Sequence, residues 1–376
     1  MHRRIRVGVV FGGRSGEHEV SLASAASVMD AMAHEKYDVV PIGITKDGRW
    51  IASGDPLKAL QSGEFAGTWP AALLGDPSCQ GLLRLENSGQ GLTLADVSQL
   101  DVVFPVLHGT YGEDGTVQGL FELAGVPYVG ADVLSSAVAM DKVIFKDVMT
   151  AHGIANVKSM WFRRSDWRNN PVDILEAVAE KLGYPIFTKP ANMGSSVGIS
   201  KCHNPEELAE GLNDAARYDR KLLVEVAVPN AREIEVSVLG NDDPVTSIPG
   251  EVVPSREFYS YEAKYIDLGE SASSLLIPAP LSEMMAARVR ELAIRAYRAI
   301  DCCGMARVDF LLSRSSGELY INEMNTIPGF TGISMFPKLW DATGVSYAEL
   351  IDRLIELAIE RHSDNVSSVT SYQIRG

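Results

Sequence analysis

The chain reads as α/β over its first third and α+β after it. Three observations predict this. Short apolar strands alternate with helical stretches up to about residue 130, the pattern then changes to helices with paired strands, and the last third carries a charged β-hairpin before a final helix.

In the first 130 residues the strand-like runs are "IRVGVVF", "DVVPIGIT" and "LDVVFPVL", and the helical stretches are "SLASAASVMDAM" and "TVQGLFELAG". Such alternation predicts a doubly wound, Rossmann-like parallel sheet with right-handed crossovers. Residues 52–100 are rich in Gly, Ser and Leu with weak periodicity, so a small β excursion with loops is expected there. A second unit, 131–224, opens with one helix over "SSAVAMDKVIFKDVMTAHG". A helix at "VDILEAVAEKLG" and strands at "PIFTKP", "VGISKC" and "KLLVEVA" follow. The third unit, 225–376, starts with the strands "EIEVSVLG" and "PVTSIPGEVV" and passes through the long polar loop "PSREFYSYEAKYIDLGESASSLL". A loop of that length in a compact domain is usually functional or disordered. A helix, the hairpin and the helix "SYAELIDRLIELAIERH" complete it.

The hairpin carries the most chemistry. "MARVDFLL" and "YINEMNTIPGF" are joined by the Ser- and Gly-rich "SRSSGEL". A turn centred near Ser316 places Asp309 opposite Glu323 and Arg307 opposite Asn325. Side chains alternate faces along a strand, and opposed residues stand roughly 5 Å apart at Cβ. All four then share one face, where two carboxylates and an amide oxygen converge. Mg2+ takes about six oxygens at roughly 2.1 Å, commonly one or two carboxylates with phosphates and waters completing the set. A water-covered polar face is the alternative on these residues alone.

Bulk properties narrow the function. The 376 residues are 46% hydrophobic and 22% charged, enough for two or three domains with sizeable cores. A net charge of −15 argues against nucleic acid or an anionic membrane as the main partner. The apolar run after the basic start is short and no run approaches a membrane span, so a cytoplasmic location is expected. The four cysteines form no C-x-x-C and the seven histidines no H-x-x-x-H, which disfavours disulfides and a transition metal.

Two glycine loops stand between a strand and a helix. "FGGRSGEHEVS" could present amides to an anion, but it is not G-x-G-x-x-G, and Glu17 suits an ammonium better than a phosphate. "LHGTYGEDGT" places His108 at the same end of the parallel strands, the end where ligands bind in such sheets. A solvated helix-start glutamate is the alternative at the first loop, and a capped helix start explains the second equally well. "TKPANMGSSVGIS" is a lysine, a flexible Gly/Ser loop and a second strand, as a lid over phosphates requires. Lys142 could add a second cation. "YEAKY", within the long polar loop, fits a lid over a polar substrate or an ordinary surface loop. A dinucleotide-dependent oxidoreductase and a non-catalytic nucleotide-binding regulator stand as competing classes.

Taken in order, "GGRSGEHEVS", "HGTYGEDG", "MDK", "KPANMGSSVG", "YEAKY", "RVDF" and "NEMNTIPGFT" resemble the ATP-grasp ligases, and within them the D-alanine–D-alanine ligase family. The resemblance covers nearly the whole chain. It implies an ATP-grasp fold, ATP as co-substrate, Mg2+ (or Mn2+, two ions per site), two D-alanine molecules as partners, and a homodimer. It implies Asp309, Glu323 and Asn325 as metal ligands, and Lys142, Lys189, Ser195 and Ser196 as phosphate binders. Glu225 and Glu233 match positions near adenine and ribose. Glu17, oriented by Ser195 and Tyr265 with His108 close by, matches the holder of the first ammonium. Arg307 and the Gly329 amide match the groups on the reacting carboxyl and its oxyanion. Ser334 and the Met335 amide match the second carboxylate's site, and Lys264 the transferred phosphate's. A tyrosine at 265 points to an amine rather than a hydroxy acid as second substrate. Met193 and Met335 stand where the family commonly has leucine.

Overall fold

The computed structural model describes residues 3–79, 81–87, 89, 91–254 and 274–369. The first sheet has seven strands in the order β6-β5-β4-β3-β2-β1-β7, where β1 is Ile5–Gly12, β2 Tyr37–Ile44, β3 Trp50–Ala52, β4 Trp69–Leu73, β5 Leu82–Asn87, β6 Leu92–Ser98 and β7 Val102–Val106. Only β2, β1 and β7 run parallel; β3 to β6 extend the edge as an antiparallel meander, so residues 52–100 supply the expected β excursion plus one short helix, Pro56–Ser62. The fully parallel sheet predicted is therefore a mixed one. Short turns join β2 to β3 and β5 to β6, and such turns permit only antiparallel neighbours.

The single helix expected over 135–153 is two. Helix α4, Val133–Met140, ends at Asp141, whose carboxylate accepts from the amides of Val143 and Ile144 and so starts α5, Lys142–Ala151. An N-capping carboxylate competes with helix continuation, and here it wins. The central sheet, antiparallel throughout in the order β10-β9-β11-β8, is built from β8 Ser159–Arg163, β9 Ile186–Pro190, β10 Ser200–Cys202 and β11 Lys221–Val226. Strand β8 and the helix Pro205–Tyr218 are additions to the elements expected.

The third sheet runs β15-β14-β12-β16-β17, with β12 Ala231–Leu239, β13 Val245–Thr246 pairing β12, β14 Gly250–Val253, β15 Ser274–Leu276, β16 Met305–Ser313 and β17 Leu319–Asn325. Its core face takes Val236, Val308, Phe310, Ile321 and Met324, and buries Phe145 and Met149 of α5. The loop after β17 reaches into another core. Phe330, 1% exposed, packs with Phe104 of β7, Phe336 and Tyr347, so the hairpin's exit is anchored on the first sheet. Burying such a ring contributes about 2–3 kcal/mol.

Candidate active site

The β16–β17 register is the one expected: Arg307 faces Asn325 and Asp309 faces Glu323. The route to it differs. Below Asp309 the pairs are Phe310 with Ile321 and Leu312 with Leu319, so the register shifts by one and Asn322 is a bulge residue. The apolar positions Leu319, Ile321 and Met324 mark this slip. Were Asn322 paired regularly opposite Asp309, Glu323 and Asn325 would turn toward the core; leaving it unpaired keeps both on the cleft face.

Across β12 the face gains a group that the sequence reading passed over. Glu235 pairs with Asp309, which makes a row of Glu235, Asp309 and Glu323 on three adjacent strands. Arg307 donates to both oxygens of Asp309 at 2.8 and 2.7 Å and stands 2.9 Å from Glu235. Asn325 donates to Asp309 at 2.9 Å. Burial works against the Arg307 cation, yet Asp309 and Glu235 raise its pKa well above the usual value. Among the described residues no three His, Cys, Asp or Glu side chains form a ready metal cluster. The donor set nevertheless suits a hard cation that brings phosphate oxygens with it, since Mg2+ rarely relies on an all-protein cage.

The cleft beside this face is lined by Lys142, Lys189, Ser195, Ser196, Glu225, Glu233, Arg307, Asp309 and Glu323, so most of the predicted residues converge. Asp141, by starting α5, sets Lys142 at its first turn, where the ammonium donates to the Met193 carbonyl at 2.9 Å and lies 3.4 Å from Glu323. In the loop between β9 and β10, Ser195 and Ser196 have φ of 50° and 58°. Consecutive left-handed residues cost roughly 1 kcal/mol or more each, and such strain is typical of loops shaped to turn amides on a ligand.

Glu225 is buried between two lysines. It contacts Lys189 on one oxygen and stands 2.9 Å from Lys146 on the other. Burial alone would raise its pKa, but Lys146 and Lys189 hold it at about 2. A depressed carboxylate pKa contributes stability that is present above the ordinary value of 4.5 and lost as pH falls toward 2. The contribution is on the order of 3 kcal/mol. The gap in thermal midpoint between the parent and Glu225→Gln is therefore expected to hold from pH 7 to 4.5 and to shrink only below that. A gap that closes by pH 5.5 would contradict the lysine clamp.

The other end of the site lies where the first sheet meets the central loop. Gly12, with φ of 90°, lets the chain pass so close to Ile44 that a Cβ would sit 2.2 Å from its carbonyl oxygen. Glu17 follows at the start of helix α1, His18–Ala31, and its carboxylate accepts from the Ser195 hydroxyl across 178 residues of sequence. The Gly109 and Gly194 positions crowd the same carboxylate, where a Cβ would come within 2.7 and 2.9 Å of it. His108, 4% exposed, donates from Nδ1 to the Ile327 carbonyl at 3.1 Å, and its Nε2 is 3.2 Å from the Ser24 hydroxyl. Glu113, also passed over in the sequence, lies 3.8 Å from His108 and accepts from the Gly109 amide at 3.0 Å. Burial opposes the imidazolium, but Glu113 and Glu17 carry His108 above its ordinary pKa. Two carboxylates beside one imidazole form a pole suited to an ammonium group.

Gly329 and Ser334 stand together after β17, and a Cβ at 329 would be 3.0 Å from the Ser334 hydroxyl. That hydroxyl bonds with Thr331, while the Met335 side chain is buried with Val252 and Leu339 at the first turn of the helix Met335–Thr343. The Phe330 amide donates to Ser24 at 3.4 Å. Lys264 and Tyr265 lie outside the described residues.

Known proteins resemble this chain over nearly its whole length. The family model described as D-ala D-ala ligase N-terminus matches residues 6–131, and the one described as D-ala D-ala ligase C-terminus matches 148–356. The D-alanine--D-alanine ligase of Natranaerobius thermophilus is 48% identical over 371 residues, covering 98% of this chain and 99% of its own. That of Clostridium novyi is 51% identical over 356 residues, covering 95% and 98%. Among solved structures, the D-alanine-D-alanine ligase from Coxiella burnetii aligns with a TM-score of 0.83 at 33% identity, over 97% of each chain. The VanG D-Ala:D-Ser ligase from Enterococcus faecalis aligns at 0.82 and 36%, over 95% of this chain and all of that one. With both family models matched in order and near-complete relatives at about half identity, the chain belongs to the D-alanine–D-alanine ligase family.

Proposed function

We propose that this protein joins two D-alanine molecules into D-alanyl-D-alanine at the expense of ATP, for peptidoglycan precursors. The observation that carries the reading is the Ser195–Glu17 hydrogen bond, which ties a phosphate-type loop to an ammonium-type pole beside the hairpin's charged face.

On this reading the carboxylate of the first D-alanine attacks the terminal phosphorus of ATP, and ADP leaves. The amine of the second then attacks the acyl phosphate, and the tetrahedral intermediate expels phosphate. Lys142, Lys189, Ser195, Ser196 and the loop amides hold the phosphates, while Glu233 and the chain beside Glu225 receive ribose and adenine. Glu17, with His108 close by and Tyr265 orienting it, holds the first ammonium. Arg307, with the Gly329 amide, takes the reacting carboxyl and then its oxyanion; its guanidinium has five N–H donors, more than its carboxylate contacts use. Ser334 and the Met335 amide receive the second carboxylate, and Lys264 the transferred phosphate. Asp309, Glu323 and Asn325 would hold Mg2+, which when bound neutralises phosphate charge. Positioning dominates such chemistry, and no covalent nucleophile is needed.

The units are 1–130, 131–224 and 225–376, the enzyme works as a homodimer, and its location is the cytoplasm. Among the described residues no helix is long and apolar enough to cross a membrane. The likeness to a D-Ala:D-Ser ligase favours one second reading, a different second substrate. Phosphate release from Mg2+-ATP with D-alanine, L-alanine, D-serine or D-lactate, with products identified by mass, separates them. D-alanyl-D-alanine as the main product is expected. ATP bound but idle with all four overturns the function, and a mixed D-Ala-D-Ser product replaces the second substrate.

A further inference from the structure

Helix α5 carries lysines at 142 and 146, four residues apart and so on one face. Both are buried, at 8% and 4% exposure, which is rare for lysine without a charged partner. Lys142 reaches the Met193 carbonyl and Glu323, whereas Lys146 reaches Glu225. Glu225 is shared: its second oxygen is in contact with Lys189, at the end of β9. Two ammonium groups thus straddle one carboxylate, and the three-residue cluster has a net charge of +1.

This count decides what Lys189 can offer. Alone with Glu225, its charge would be cancelled before a phosphate arrived. With Lys146 on the far oxygen, Glu225 is already neutralised, and the charge of Lys189 stays available in the cleft that it lines. We infer that Lys146 is a positioning residue of the nucleotide site, which neutralises Glu225 from its far oxygen so that the charge of Lys189 acts on the phosphates of ATP. The inference rests on the nucleotide reading above. Lys146 does not touch the nucleotide in this account; it acts through Glu225. Burial presses the Lys146 cation down and Glu225 restores it only in part, consistent with a lysine whose charge serves its neighbour.

The test is the preference for ATP over adenosine, measured as the ratio of dissociation constants by calorimetry in the full-length protein. Adenosine reports the adenine and ribose contacts without the phosphates. Lys146→Gln keeps a hydrogen-bond donor for Glu225 and removes the charge. It is expected to weaken ATP at least tenfold while adenosine changes less than threefold. A parallel loss of both ligands, or no loss of either, overturns the inference and leaves Lys146 a structural ion-pair partner. The double variant Lys146→Met with Glu225→Gln removes both buried charges and returns Lys189 to an uncancelled state. Its ATP-to-adenosine preference is expected within threefold of the parent. A preference still reduced tenfold would overturn the inference, and this variant decides the matter if Lys146→Gln does not fold. Absence of ATP binding in the parent protein would instead overturn the nucleotide reading itself.

Discussion

Asp309→Asn is expected to lower turnover roughly a thousandfold or more, the scale of losing several kcal/mol of charge stabilisation in a phosphoryl-transfer site. The fold should survive. Breaking a buried ion pair costs about 3–5 kcal/mol when it strands a charge. Here Arg307 keeps Glu235 at 2.9 Å, so no bare guanidinium is left and the cost falls below that range. The Asn325 amide also retains an oxygen to donate to. Phosphate release with D-alanine and ATP measures the first effect and the thermal midpoint measures the second. Near-parental turnover in Asp309→Asn would remove the metal assignment. Collapse of the fold would show that the Arg307 network is held chiefly by Asp309.

Much of this site was legible because strand alternation is a strict period of two. Arg307, Asp309, Glu323 and Asn325 could be placed on one face by position alone, and the structure pairs them so. The glycine loops could be seen because few sequences tolerate chain as close as Gly12 to Ile44. Lone charges inside regular elements were not legible. Lys146 in α5, Glu235 in β12 and Glu113 before a helix look like solvated groups until tertiary packing sets them against Glu225, Arg307 and His108. The spacing of Lys142 and Lys146, and the alternation of Glu233 with Glu235, were the available signals. Helix continuity failed at Asp141 for a local reason, since apolar periodicity runs through 135–151 and only the capping carboxylate divides it. The direction of β3 to β6 was hidden by weak periodicity in that stretch.

The bulge at Asn322 carries the second prediction. Deleting Asn322 joins Ile321 directly to Glu323, so Phe310 still meets Ile321, Asp309 still meets Glu323 and Arg307 still meets Asn325, now in an unbroken ladder. Alternation then keeps Glu323 and Asn325 on the cleft face and Ile321 and Met324 in the core. What the deletion removes is the local bend and extra twist that a bulge gives its strand. The deletion is therefore expected to stay folded, with turnover lowered about ten- to a hundredfold as Glu323 is re-aimed, a loss of roughly 1.4–2.8 kcal/mol. Asn322→Ser, which keeps the extra residue, should hold its thermal midpoint within a few degrees and retain turnover within about tenfold, a loss near 1.4 kcal/mol. The edge position of β17 makes the bulge tolerable, because its outer side pairs only briefly, where the Ile321 amide donates to Ala155 at 2.8 Å. Side-chain contacts of Asn322 are lost in both variants, but only the deletion removes the bulge. Complete loss of turnover in the deletion would show that Glu323 needs the bulge to reach the cleft, and equal loss in both variants would assign the effect to the asparagine side chain instead.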